Sequence, residues 1–305
     1  MKLTLRSLRL FIRLSHPLPL LAGFLLYGLG SAIAYFLGRS LDLGLYLLGQ
    51  SLVTILQLAA HFSFEYHEPQ LESEDFKPNP YLGISRALGP EGFARQTALN
   101  ATIVCLVIVA TLVSILLVGG QIPLVAWLIL LLIFLGYFFY STPPIRLLAS
   151  GYGELVLSLV IAGLIPTFSF ALQTGELHRL ILMSITPLVA LHFAMMISFE
   201  LPEYARNIKL DKRTLMVRLG WATAMRLHDL AIVFAIGSFL VAFINGLPRR
   251  VVFGALIALP LAAVQVWHME RIRRGFPARL RNLTIAALGL FGLTIYLELI
   301  GYLLS

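Results

Sequence analysis

The sequence predicts an all-α polytopic membrane protein of about nine transmembrane helices in one bundle. Composition, the length of the apolar runs and the placement of cations all point there. Of the 305 residues, 59% are hydrophobic and 12% charged, and the mean hydropathy is +0.88. A soluble domain carries roughly 25% charged residues, so about half the usual charge means that much of the surface meets lipid. A helix needs about 20 apolar residues to cross a hydrocarbon core, and nine such runs are present. Their cations gather in alternate loops.

The runs fall near residues 17–37, 43–63, 97–118, 121–141, 153–173, 179–199, 227–245, 249–267 and 283–304. The loops at Gly38–Asp42, Gly119–Pro123, Gln173–His178 and Asn245–Pro248 are short and made of turn residues. The intervening loops are longer and basic. A cytoplasmic N-terminus leaves only Arg39, Arg179, Arg249 and Arg250 of the 23 lysines and arginines outside. The positive-inside rule therefore predicts a cytoplasmic N-terminus and an external C-terminus. The same loops account for the net charge of +8, so no nucleic-acid partner is called for. The basic start (Lys2, Arg6, Arg9, Arg13) lacks a cleavage pattern and reads as the approach to a retained first helix. Cys105 is the single cysteine and lies in an apolar run, which excludes an internal disulfide or a cysteine metal site.

Two loops begin with acids. Span two ends in His61-Phe-Ser-Phe-Glu65-Tyr-His-Glu68-Pro-Gln-Leu-Glu72, which places Glu65, Glu68 and Glu72 at i, i+3, i+7 on one helical face. Pro69 is positioned to break that helix after Glu68 and displace Glu72. Span six ends with Glu200, Glu203 and Asn207 at the same spacing, followed by Lys209, Asp211, Lys212 and Arg213. Like charges stacked on a face repel, and oxygen ligands around Mg²⁺ relieve that repulsion. Acids with adjacent cations suggest metal-bound pyrophosphate; solvated helix ends are the plain alternative. The two clusters are expected to converge in one cytoplasmic-side cavity.

The segment Asp211-Lys-Arg-Thr-Leu-Met-Val-Arg-Leu-Gly220 resembles GKRTLxVRLG of the UbiA superfamily of intramembrane prenyltransferases. Tyr140-Ser-Thr-Pro-Pro-Ile-Arg-Leu-Leu148, continuing to Gly153-Glu154-Leu155, resembles that family's YSxPPxRLKxxGxGEL. His61 to Glu72 stands where the family has NDxxDxxxD, and Arg13-Leu-Ser-His16-Pro17 is similar to the Arg-Pro start of its first helix. The resemblance covers nearly the whole chain and implies one domain, residues 1–305, around a central cavity open to the cytoplasm.

It further implies transfer of a polyprenyl group from its diphosphate to a lipophilic, aromatic acceptor of the quinone-precursor type, with Mg²⁺. By position, Glu65, Glu68, Glu72, Glu203 and Asn207 are the implied metal ligands. Arg86, Arg146, Lys212 and Arg213 are the implied diphosphate contacts, and Tyr140 lies near the reacting carbon. Glu65, Glu68, Glu203 and Tyr140 form the implied catalytic set. Phe64 replaces the family's asparagine, Asn207 an aspartate and Asp211 a glycine. The glutamates are also a methylene longer than the aspartates they replace. A relative without turnover, binding isoprenoid lipid or a membrane partner, therefore stands beside the enzyme reading. A transporter fits less well, because the ionisable groups sit at one face instead of mid-membrane. A bacterial-type plasma membrane is the expected location.

Four further features have plain readings. His192, inside span six, either contacts the acceptor or bonds a neighbouring helix. Glu298 is expected to snorkel near the outer end. Aromatics from Tyr137 to Tyr140 shape a prenyl tunnel or form an interfacial belt. The cluster Arg271 to Arg281 suits anionic lipid headgroups.

Overall fold

The computed structural model describes residues 5–68, 84–90, 92–120 and 122–305. Its helices are α1 (Leu5–Leu14), α2 (Pro17–Phe36), α3 (Leu43–His67), α4 (Arg95–Val118), α5 (Leu124–Ser141), α6 (Gly153–Ser158), α7 (Ile165–Thr174), α8 (Arg179–Lys209), α9 (Leu215–Leu219), α10 (Trp221–Ile244), α11 (Arg249–Leu256), α12 (Leu259–Arg273) and α13 (Leu280–Leu303). A π-helical turn, Leu159–Leu164, joins α6 to α7, so the two form one span; α11 and α12 form another. Among the described residues, nine stretches are long and apolar enough to cross a membrane, and the chain is an integral membrane protein. A single β-bridge, Leu88 with Phe93, is the only extended pairing among the described residues.

Hydropathy does not tell which span lies innermost. α4 is the most apolar, with a mean hydropathy of 3.0, yet only 11% of its span is buried, and it rests mainly on α3. The α6–α7 span, less apolar at 2.3, is 72% buried. Lipid tails are as apolar as leucine, so small and hydroxylated residues decide which helices approach closely. Gly30 of α2 shows this: a Cβ there would fall 2.0 Å from the Pro166 carbonyl oxygen of α7. At the next residue of α2, the Ser31 hydroxyl meets that of Ser169 at 2.7 Å. Pro166 has no N–H for a carbonyl four residues back, and the π turn lies immediately before it.

The spans keep the expected limits to within about four residues except at three ends: α10 begins at Trp221 instead of 227, α12 ends at Arg273 instead of 267, and the sixth span departs most. α8 runs to Lys209 instead of 199, and its 31 residues extend about 46 Å, well beyond a hydrocarbon core of about 30 Å. The turns carrying Glu200 to Lys209 therefore project from the core. A short helix, α1, also precedes the first span. It carries Arg6, Arg9 and Arg13 beside an exposed Leu5, Leu8 and Ile12. His16, with φ 50°, turns the chain from α1 into α2, and Pro17 occupies the first turn of α2.

Glu298 does not snorkel. It is fully buried, because α13 packs against α2, α8 and α11, and this face of α13 turns inward beside Ser184 and Tyr302.

Candidate active site

The ends of α3 and α8, the segment 212–214 and the start of α2 enclose a cavity of about 360 Å³. Glu68, Glu203, Arg206, Asn207 and Lys212 line its mouth. Leu25, Leu157, Ile161, Met195, Phe199 and Phe291 line its apolar interior. The volume lies within the range of small-ligand pockets, roughly 300–1,000 Å³.

α3 stops at His67, and Glu68 is extended (φ −76°, ψ 138°), as expected for a residue that precedes proline. The helical face expected to carry Glu65, Glu68 and Glu72 together is thus interrupted, and Glu72 lies outside the described residues. Glu65 and Glu68 take different surroundings. Glu68 is buried on the cavity wall, bonded to Lys212 Nζ and 3.6 Å from Arg146 Nη2. Glu65 is buried away from the wall. Its Oε1 accepts from the Ser85 backbone N–H at 2.6 Å and lies 2.8 Å from His16 Nε2. It therefore ties the start of α2 and residues 84–90 to the end of α3.

α8 carries its acids differently. The helix continues through Pro202, so Glu200, Glu203 and Asn207 all reach the cavity wall. Glu203 accepts from Arg206 Nη1 at 2.9 Å. The Asn207 carbonyl accepts from the Lys212 backbone N–H at 2.9 Å, which folds the chain back and swings the Lys212 side chain into the cavity. Thr214 then caps α9, its hydroxyl accepting from Val217 N–H at 3.5 Å.

Two acids that were not among the implied ligands hold this corner. Glu154 accepts from Leu215 N–H at 3.2 Å and Glu200 from Met216 N–H at 3.0 Å, so both carboxyls grip the first turn of α9. That turn leaves orphan N–H groups, which acids satisfy well. Glu154 was visible only as the single acid of the Tyr140–Leu155 segment, and Glu200 only by its spacing from Glu203.

The other expected residues divide. Tyr140 and Tyr137 both line the cavity, which makes Tyr137 a wall residue instead of part of a belt. Arg146 reaches Glu68 from outside. Arg213 is largely exposed, 4.0 Å from Asp211, and is not on the wall. Arg86 lies at a separate basic pocket with Arg6, Arg9 and Arg13. His16 of the cavity wall was anticipated only as part of the approach to the first helix.

Among the described residues, no three His, Cys, Asp or Glu side chains are grouped closely enough to hold a metal ion. Mg²⁺, however, is usually held by one or two carboxylates together with substrate phosphates and water, without a full protein cage. The wall oxygens of Glu68, Glu203 and Asn207 are hard donors of that kind. The donor set therefore fits a metal that arrives with a diphosphate.

The family model for the UbiA prenyltransferase family matches residues 92–291. Solved structures that share the fold include the following three. A UbiA homolog from Archaeoglobus fulgidus bound to GPP and Mg²⁺ is 12% identical, with a TM-score of 0.65 over 95% of this chain and 99% of its own. The same homolog bound to DMAPP and Mg²⁺ is 14% identical, with a TM-score of 0.63 over 94% and 98%. A digeranylgeranylglyceryl phosphate synthase is 12% identical, with a TM-score of 0.60 over 98% and 96%. No curated protein matches the sequence.

Proposed function

We propose, from the premise that the chain belongs to the UbiA prenyltransferase family, that it transfers a polyprenyl group from a polyprenyl diphosphate to a lipophilic aromatic acceptor of the quinone-precursor type. One observation carries this reading: a single cavity joins an ionic mouth to an apolar interior. A prenyl diphosphate has the same two halves. In this reading residues 1–305 act as one domain in a bacterial-type plasma membrane, with the N-terminus and the cavity mouth cytoplasmic.

Lys212 and Arg206 are the wall cations placed to neutralise the diphosphate, with Arg146 behind them. Each now pairs with an acid, so substrate oxygens compete with Glu68 and Glu203 for them. Glu68, Glu203 and Asn207 would hold a Mg²⁺ ion brought with the diphosphate. The ion would add positive charge to stabilise the leaving group. The allylic C–O bond breaks, diphosphate keeps the electron pair, and the acceptor attacks the allylic carbon and then loses its proton. The faces of Tyr140 and Phe199 on the wall stabilise positive charge on that carbon, and the apolar lining keeps water from it.

A second reading, lipid or partner binding without turnover, has one observation in its favour: Glu68 and Glu203 are already paired with Lys212 and Arg206. Purified protein with geranyl diphosphate, Mg²⁺ and a hydroxylated aromatic acceptor separates the two. Prenyl transfer predicts Mg²⁺-dependent binding and diphosphate release. Binding without release under all acceptors tried supports the second reading, and no binding overturns both.

A further inference from the structure

The deep end of the cavity carries a polar group that the ionic mouth does not use. α8 lines the wall with His192, Met195, Met196, Phe199, Glu200 and Glu203, a stripe at helical spacing. His192 lies eight residues before Glu200, about 12 Å along the axis, with the methionines and Phe199 between. An isoprenoid tail has no hydrogen-bonding group to offer at that depth.

The protonation of His192 follows from its partner. Ser158 Oγ lies 2.6 Å from the Glu154 carbonyl oxygen and 2.8 Å from His192 Nδ1. A carbonyl only accepts, so the Ser158 proton goes to Glu154, and the Ser158 oxygen accepts from His192. The hydrogen therefore sits on Nδ1. The ring packs edge-on against Phe291 at 4.9 Å between centroids, in apolar surroundings where an unpaired imidazolium would be costly. A neutral ring with hydrogen on Nδ1 leaves a lone pair on Nε2. Among the described residues the hydrogen bond of His192 is the one at Nδ1, none is made at Nε2, and His192 lines the cavity.

We infer that His192 Nε2 is the specificity contact for the acceptor, and that the acceptor carries a hydroxyl which donates to it. The inference rests on the prenyl-transfer reading for the word acceptor, though the contact itself requires only a lipophilic hydroxyl compound in the cavity. Ser158 is the positioning residue that sets the tautomer. A methyl ether of the same ring has no proton to give and loses the contact. The π turn at Leu159–Leu164 begins directly after Ser158, so the local break in helix geometry lies at this pair.

Binding of 1-naphthol and of 1-methoxynaphthalene to the full chain in detergent micelles tests it, with geranyl diphosphate and Mg²⁺ as a separate arm. Wild type should bind the naphthol about fivefold tighter than the ether, the scale of one neutral hydrogen bond. His192→Phe should abolish that preference. Ser158→Ala, which keeps the ring but frees its tautomer, should reduce it. Equal binding of the two compounds by wild type, or an undiminished preference in both variants, overturns the inference. Loss of geranyl diphosphate binding in wild type would instead overturn the prenyl-transfer reading, and the naphthol comparison would still report on His192.

Discussion

The ends of α3 and α8 present nearly the same acid spacing and fold in opposite ways. Each carries two glutamates three residues apart and a proline close by. At α3 the proline directly follows the second glutamate, and the helix ends before it. Glu65 then faces the Ser85 backbone and His16, while Glu68 turns to the cavity. At α8, Pro202 falls between Glu200 and Glu203, and the helix continues through it. Contacts from outside the helix brace that stretch: Met216 N–H on Glu200, and Lys212 N–H on the Asn207 carbonyl. All three expected side chains of α8 therefore reach one wall. Spacing specifies a shared face only where neighbouring segments hold the helix that carries it.

The largest expected effect breaks the link between the two ends. Lys212→Met leaves Glu68 buried with only Arg146 nearby, which should cost about 3–5 kcal/mol of stability. Thermal melts in detergent should show this loss, and Glu68→Gln added to Lys212→Met should recover most of it. Glu65→Ala removes the acceptor of a buried backbone N–H and should cost about 1–3 kcal/mol in the same melts. Recovery from this variant by Lys212→Met would contradict the separation of the two acids. The smallest effect sharpens the α8 side. Thr214→Ala removes the cap of α9 and should cost about 1 kcal/mol. It should also weaken geranyl diphosphate binding a few-fold, since α9 holds the Lys212 segment in place.

The bundle was legible because each span is a continuous apolar run bounded by turn residues, and the alternating charge marks its two faces. Its interior order was not legible. α4 looks like the most buried span by hydropathy and is the least buried of the nine, because packing in lipid depends on small residues such as Gly30. Glu203, Asn207, Lys212 and Tyr140 were legible as cavity residues from spacing and segment likeness. Arg86 and Arg213 were not, since a basic residue near a motif need not face the same way as the motif. Glu154 was missed as part of the site because its role is backbone capping, which depends on a segment 61 residues later.

The most direct test compares Glu203→Gln with Glu65→Gln for Mg²⁺-dependent binding of geranyl diphosphate, with melting curves to confirm folding. A diphosphate site on the cavity wall predicts at least tenfold weaker binding for Glu203→Gln, whose carboxylate lines the cavity. It predicts a change of less than about threefold for Glu65→Gln, whose carboxylate lies behind the wall. Equal losses in the two variants, or a larger loss for Glu65→Gln, would contradict the site.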